Sequence, residues 1–230
     1  MAWRIYGFLI IPIAAVGVFF AAAVYFTEAA QPYMMISWEP EKSYVPPGYQ
    51  GKALPTPFTP VTVKAEVFQD GKAVSLAQKT VRWYVDDYAE TQGKGITSFT
   101  LPAVRQANKD AYEVRVEVLD FTSNFTLSKS IVIPIVSPQV VIRGGTLRNI
   151  ISPGTTKFTA TPYYFNVSRP DDLRYGWKLN GVLQGEDKSG EFNLSVLSEA
   201  KGRSAEVQVS AYAPENKFDS ASEKQTFLVQ

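Results

Sequence analysis

Two adjacent aspartate pairs, Asp86-Asp87 and Asp171-Asp172, are the residues of this sequence whose type and spacing best suit acid–base chemistry. Two carboxylates facing one cleft can hydrolyse a glycoside, one as acid and the other as base or nucleophile. With Glu90, Asp120 and Asp187 the same pairs offer the hard oxygen ligands that calcium takes from carboxylates and loop carbonyls. Against both readings, each pair falls where a strand gives way to a turn, a place aspartate favours for its local hydrogen bonds to the backbone. No D-x-D-x-D-G loop is present, so turn chemistry is the expectation for these residues. The chain contains no histidine and no cysteine. Ser-His-Asp triads, Cys-His dyads, zinc sites built on His or Cys, haem ligation and thiol redox chemistry are thereby excluded. Gly93-Lys94-Gly95 lacks the GKS/T sequence and the following helix of a phosphate loop and reads as a hairpin connection. We therefore expect no catalytic residue, no cofactor and no metal site, and a protein that is not an enzyme.

Binding chemistry has a better candidate. The segment from Tyr44 to Pro55, YVPPGYQGKALP, is long, rich in proline and tyrosine, and has no counterpart later in the chain. It reads either as a stiff excursion held extended by proline, which fixes the backbone and cannot donate to a ladder, or as a pre-ordered apolar surface for a partner protein. Tyr44, Pro46, Pro47, Tyr49 and Lys52 are the candidate partner-binding residues. A carbohydrate-binding or adhesive surface is the alternative and would use exposed rings such as Tyr84, Tyr88, Tyr163, Tyr164 and Tyr175. Strand alternation points Tyr84 away from its neighbours Trp83 and Val85, hence outward. Three N-x-S/T triplets, at Asn124, Asn166 and Asn193, decide nothing without knowledge of the host.

The elements that must position these residues are strands. Short runs rich in Val, Ile, Thr, Tyr and Phe alternate with polar residues and are broken by Gly, Pro, Asn and Asp, and no long 3.6-residue periodicity appears. The predicted strands are 34–38, 61–68, 80–85, 96–101, 112–119 and 127–133, then 139–142, 157–164, 173–179, 191–196, 205–212 and 224–229. The two sets superpose. Trp83-Tyr84-Val85-Asp86-Asp87 matches Trp177-Lys178-Leu179-Asn180-Gly181, with Val63 lying 20 residues before its tryptophan and Phe158 19 before its own. Phe99 and Phe192 follow their tryptophans at 16 and 15 residues, and Val114 and Val207 follow 15 later in both. Four strands in one order at one spacing argue for duplication of an immunoglobulin-like or PKD-like sandwich without its cysteine pair. Trp83, Trp177, Phe99 and Phe192 are expected in the cores, with Val114, Val116, Val118, Val207 and Val209 beside them. The fold class is thus all-β: two tandem immunoglobulin-like β-sandwiches after an N-terminal transmembrane helix, with domains at 31–136 and 137–230 divided near Ser137-Pro138.

Residues 1–30 differ sharply from the rest. From Ile5 to Phe26 there is no charged residue, and at about 1.5 Å per residue this run spans roughly 33 Å, the thickness of a bilayer core. Arg4 precedes it and Glu28 follows, so the positive-inside preference places the domains outside the cytoplasm. A retained signal anchor is favoured over a cleaved signal peptide because the run exceeds the usual length of a signal's apolar region. Cleavage at Ala21-Ala22-Ala23 or Thr27-Glu28-Ala29 would make the protein secreted. With no disulfide, each exported domain must stand on its hydrophobic core. Beyond Arg4, 22 basic residues balance 22 acidic ones, which offers nucleic acid no general attraction. The membrane, through residues 5–26, and envelope or surface-assembly proteins are the expected partners, and homo-oligomerisation is left open.

The stretch Ile36-Ser37-Trp38-Glu39, Tyr44-Val45-Pro46-Pro47-Gly48-Tyr49 and Gly51-Lys52-Ala53-Leu54-Pro55, followed by Val81-Arg82-Trp83-Tyr84-Val85, resembles uncharacterised bacterial cell-envelope proteins with an N-terminal export segment and tandem immunoglobulin-like (PKD-like) domains. Such proteins are often associated with pilus or secretion-type machinery. The resemblance implies a non-catalytic, membrane-anchored binding or scaffolding role, as an accessory component of a surface appendage or secretion assembly. It carries over no catalytic residue.

Overall fold

A computed structural model of the protein describes residues 31–103, 109–123, 125–146 and 148–230. The apolar run 5–26, read as a transmembrane helix, and the triplet asparagine Asn124 lie outside the described residues. Among the described residues no helix is long and apolar enough to cross a membrane.

Two β-sandwiches follow one another. In the first, β1 (Tyr33–Pro40), β2 (Val61–Gln69) and β3 (Lys72–Val74) form one sheet in that order. β4 (Thr80–Val85) and β5 (Tyr88–Lys94) begin the facing sheet, while β6 (Ser98–Leu101) returns to pair with β2. β7 (Ala111–Thr122) and β8 (Phe125–Pro134) complete the second sheet, whose order is β5-β4-β7-β8. The second sandwich contains β9 (Gln139–Arg143), β10 (Ile150–Ile151), β11 (Gly154–Tyr163), β12 (Arg174–Leu179), β13 (Val182–Asp187), β14 (Glu191–Val196), β15 (Ser204–Ala213) and β16 (Asn216–Val229). Its sheets run β14-β11-β9 and β10-β16-β15-β12-β13, an immunoglobulin-like arrangement of two antiparallel sheets to which β10 adds a parallel edge.

The alternating valines explain the sheets. Val114, Val116 and Val118 on β7, and Val207 and Val209 on β15, are fully buried while their neighbours face outward, because successive side chains point to opposite faces. Trp83 pairs across the ladder with Val116, and Trp177 with Val209. Each tryptophan is buried beside its phenylalanine, with ring centroids 6.0 Å apart for Trp83–Phe99 and 5.5 Å for Trp177–Phe192. Phe99 and Phe192 themselves are half-buried at the margin of their cores. The duplication extends to backbone detail. Both tryptophan strands carry a bulge directly after the tryptophan. Both end in two-residue turns with positive φ, 50° and 67° at Asp86-Asp87, 49° and 80° at Asn180-Gly181, the geometry a tight hairpin needs. In both, the first turn residue donates its N–H to a carbonyl (Glu113 O at 2.9 Å, Glu206 O at 2.8 Å) while its side-chain oxygen accepts that residue's N–H.

Four strands lie outside the sequence expectation. β5 and β13 are polar edge strands, and every residue of β13 is exposed, so neither shows the alternation that buried strands show. β3 and β10 are three and two residues long, too short for any period. Most of the remaining strands run further than alternation indicated, and β16 begins at Asn216, eight residues before the predicted start at 224, whereas β4 and β14 match their predicted bounds and β6 and β12 begin two and one residues later.

Candidate functional site

The proline- and tyrosine-rich segment is built from turns. Pro46 O accepts the Tyr49 N–H at 3.1 Å around Gly48, whose φ of 81° is one that glycine adopts without strain. Ser43 Oγ donates to Leu54 O at 2.6 Å and draws the two ends of the excursion together. At its far end Thr56 and Thr59 are buried and satisfy one another, with their hydroxyl oxygens 3.0 Å apart.

This strap crosses from the first sandwich to the second. Tyr44 N–H donates to Phe165 O at 2.9 Å, and Tyr164 N–H donates back to Tyr44 O at 2.6 Å, so both backbone groups of Tyr44 bridge to the second sandwich. The Tyr44 side chain packs against the second core. Tyr49 and Tyr164 share a hydroxyl–hydroxyl hydrogen bond of 2.5 Å, and the Tyr49 ring stands edge-on to Tyr163 and Tyr164 with centroids 5.9 and 6.1 Å away. Tyr164 is held at φ 63°, which is strained for a bulky residue and persists because surrounding bonds fix it. Burial and the bond to Tyr49 push its phenol up to about 12. Burial, then the neighbouring Tyr163, also raises that of Tyr44. Both therefore stay protonated at neutral pH. A second tie lies nearby, where Asn166 Nδ2 donates to Phe58 O at 2.9 Å.

The five candidate partner residues thus divide. Tyr44 and Tyr49 are half-buried in the joint between the sandwiches, and Pro46 is half-buried in the same turn. Pro47 and Lys52 are exposed. Lys52 Nζ lies 3.3 Å from the centroid of the Trp38 ring, a cation–π contact; burial lowers its pKa and the nearby Glu39 partly offsets this. Around Lys52 is an open depression of about 600 Å³ whose walls include Trp38, Glu39, Thr62 and Lys64.

The rings considered for carbohydrate do not form a platform. Tyr175 and Tyr164 are 1% and 9% exposed, which overturns their expected exposure: Tyr175 falls on the inward side of β12, in phase with Trp177. Tyr84 does face outward, but the Arg115 guanidinium covers its ring at 4.0 Å and Arg82 Nη1 donates to its hydroxyl at 2.9 Å. Tyr88 follows the hairpin turn and is 75% exposed.

The acidic pairs are held locally. Asp86 pairs with Lys109, and Asp87 with Arg115 at 3.4 Å. Asp172 Oδ2 accepts the Arg169 N–H at 3.1 Å at the start of a short 3-10 turn, while Asp171 Oδ2 takes the Arg169 guanidinium at 2.7 Å. Asp187 closes its own turn by accepting the N–H groups of Ser189 and Gly190 at 3.0 and 3.2 Å. Among the described residues no three Asp, Glu, His or Cys side chains converge to hold a metal ion.

No protein-family model matches this sequence. Nor does any curated protein match it. Among solved structures the chain is similar to the three N-terminal domains of the highly immunogenic outer capsid protein Hoc of bacteriophage RB49, at 15% identity and a TM-score of 0.47, over 86% of this chain and 59% of that one. It spans less than two thirds of that structure's length. It is also similar to the fibronectin(III)-like modules of Clostridium thermocellum CbhA, at 15% identity and a TM-score of 0.32 over 85% and 94% of the two chains. A third neighbour is the central fibronectin-III array of RIM-binding protein, at 12% identity and a TM-score of 0.27 over 83% and 69%.

Asp219 has a place in the strand period that its polarity hides. Stepping back in twos from the buried Phe227 and Val229 puts Asp219 on the inward side of β16, and it is 1% exposed. Its Oδ2 accepts the Asn166 N–H at 2.9 Å. Burial raises the Asp219 pKa, against the lowering effect of that bond.

Proposed function

We propose that this protein is a non-catalytic binding or scaffolding protein of the bacterial envelope, held at a membrane by residues 5–26 with both sandwiches outside the cytoplasm, and an accessory component of a surface assembly. The strap carries this reading. A segment of stiff, proline-fixed backbone is used to fasten one sandwich to the next, which suits a protein whose task is to hold surfaces in a fixed relation. The described chain begins at Gln31, beside the β2–β3 end of the first sandwich, whereas the second sandwich follows from the opposite end, after Pro134.

The exposed part of the strap remains the surface offered to a partner. Cross-linking in native membranes followed by recovery of the full chain should yield one reproducible envelope protein. Pro47→Asp with Lys52→Glu, which touches neither tyrosine of the joint, should abolish that recovery. Recovery of unrelated membrane proteins only, equal for both forms, would sink the reading.

A further inference from the structure

Among the described residues Asp219 is the one acidic or basic side chain that the fold buries, and its surroundings make no provision for a charge. Its Oδ2 accepts the Asn166 N–H at 2.9 Å, while its Oδ1 is closed off without a partner. The charged groups of the neighbouring cleft are Lys42 ahead of the strap, Arg169, Asp171 and Asp172 between β11 and β12, Lys188 between β13 and β14, and Glu215 in the β15–β16 turn. Arg169 is engaged with Asp171, and none of the three basic groups compensates Asp219. From the first sandwich the nearest tie is the neutral Phe58 carbonyl, which binds Asn166. A carboxylate in this position gives up its hydration for one hydrogen bond, whereas the neutral acid gives up far less. Because the site is sealed, ions and water of the cleft do not reach Oδ1, and a proton is the compensation that fits.

We propose that Asp219 is a proton-operated latch of the joint: neutral, it stays sealed against Asn166, and ionised, it draws in water and parts β16 from Asn166. Asn166 carries the effect across. Its backbone N–H is held by Asp219 and its side-chain Nδ2 donates to Phe58 O at 2.9 Å, so loosening the first contact releases the grip on the first sandwich. Burial raises the Asp219 carboxyl above its ordinary value, against the smaller opposite effect of the Asn166 N–H. The stability contributed by the neutral form is therefore complete below the unfolded value and is lost as pH rises through the folded one.

The test follows the full chain in mild detergent from about pH 4 to about pH 9, a range that spans the titration of a raised carboxyl. Asp219→Asn keeps an acceptor for the Asn166 N–H and carries no charge at any pH. Relative to that variant, the folding equilibrium constant of the native chain in urea should fall by up to about tenfold per pH unit within the titration window, the limit for one proton. The joint is read by the distance between spin labels at Lys72→Cys and Lys201→Cys, both exposed positions, in a Tyr49→Phe background that leaves Asn166–Phe58 as a principal side-chain tie. The distance distribution should be narrow in acid and broaden as pH rises. Adding Asp219→Asn should keep it narrow throughout, and adding Asn166→Ala should leave it broad throughout. A width that does not change with pH overturns the proposal, as does an Asp219→Asn chain that broadens in step with its parent. Should Asp219→Asn not fold, the Asn166→Ala series decides, because a pH response that survives there does not run through the latch.

Discussion

Trp83 and Trp177 occupy equivalent places on equivalent strands and differ by one hydrogen bond. Trp83 Nε1–H donates to Ile96 O at 2.7 Å, whereas Trp177 Nε1 is buried without a partner. The path from tryptophan to phenylalanine is one residue shorter in the second sandwich, where β13 has six residues and β5 has seven. Replacing either tryptophan by phenylalanine removes a similar volume from a similar core, but only Trp83→Phe also breaks a bond and orphans a carbonyl. Trp83→Phe should therefore cost about 1 kcal/mol more than Trp177→Phe, the net worth of a buried hydrogen bond. Urea denaturation of the two variants measures the difference directly. Equal losses would mean that the indole N–H of Trp177 finds water in solution.

At the scale of elements, the two tryptophan hairpins are a matched pair with unlike turns. Both positions of a tight two-residue turn need positive φ, and the second sandwich meets this with Asn180-Gly181, whereas the first uses Asp86-Asp87 at 50° and 67°. An L-residue in the left-handed region costs roughly 1–2 kcal/mol, and glycine avoids that at a chain-entropy cost of about 0.5–1 kcal/mol. Asp87→Gly should therefore stabilise the first sandwich by about 0.5 kcal/mol, the difference between those two costs. The exposed Asp87–Arg115 pair that it removes is worth little. A midpoint shift in chemical denaturation reads the gain, and a loss would show that Arg115 depends on Asp87. The same hairpins mark the limit of what is legible in sequence. Strands that bury one face declare themselves by alternation, as β2, β4, β7 and β15 do through Val61, Val81, Val116 and Val207. The edge strands β5 and β13 are held by backbone pairing to one neighbour and need no apolar side chain, so Glu90 and Gln184 look no different from loop residues. The start of β16 escaped for a related reason, since Phe218 is 85% exposed and Asp219 buried, the reverse of what their polarity suggests.

For the molecule as a whole, the question is whether two sandwiches joined by a short linker behave as one body. The linker is short and itself tied: Val136 N–H donates to Pro55 O at 3.0 Å, and Ser137-Pro138 then leads into β9. The strap adds the Tyr44 bridge, the Tyr49–Tyr164 hydroxyl bond and the Asn166–Phe58 bond. That the Tyr44–Pro55 segment is special was visible in its composition. Its contacts were not, because Tyr49 and Tyr164 stand 115 residues apart and nothing in local sequence ties them. Each side-chain bond contributes about 1 kcal/mol, so losing both leaves a joint held mainly by one backbone bridge. Tyr49→Phe with Asn166→Ala removes both without altering either core. The absence of cysteine makes the measurement clean, because Lys72→Cys and Lys201→Cys, both at exposed positions, introduce the only two thiols for spin labels. The native chain should give one narrow distribution of label distances and the double variant a visibly broader one. The unfolding of each sandwich should be nearly unchanged. An equally narrow distribution in the variant would assign the rigidity to the linker and the Tyr44 bridge, and would free Tyr49 for contact with a partner after all.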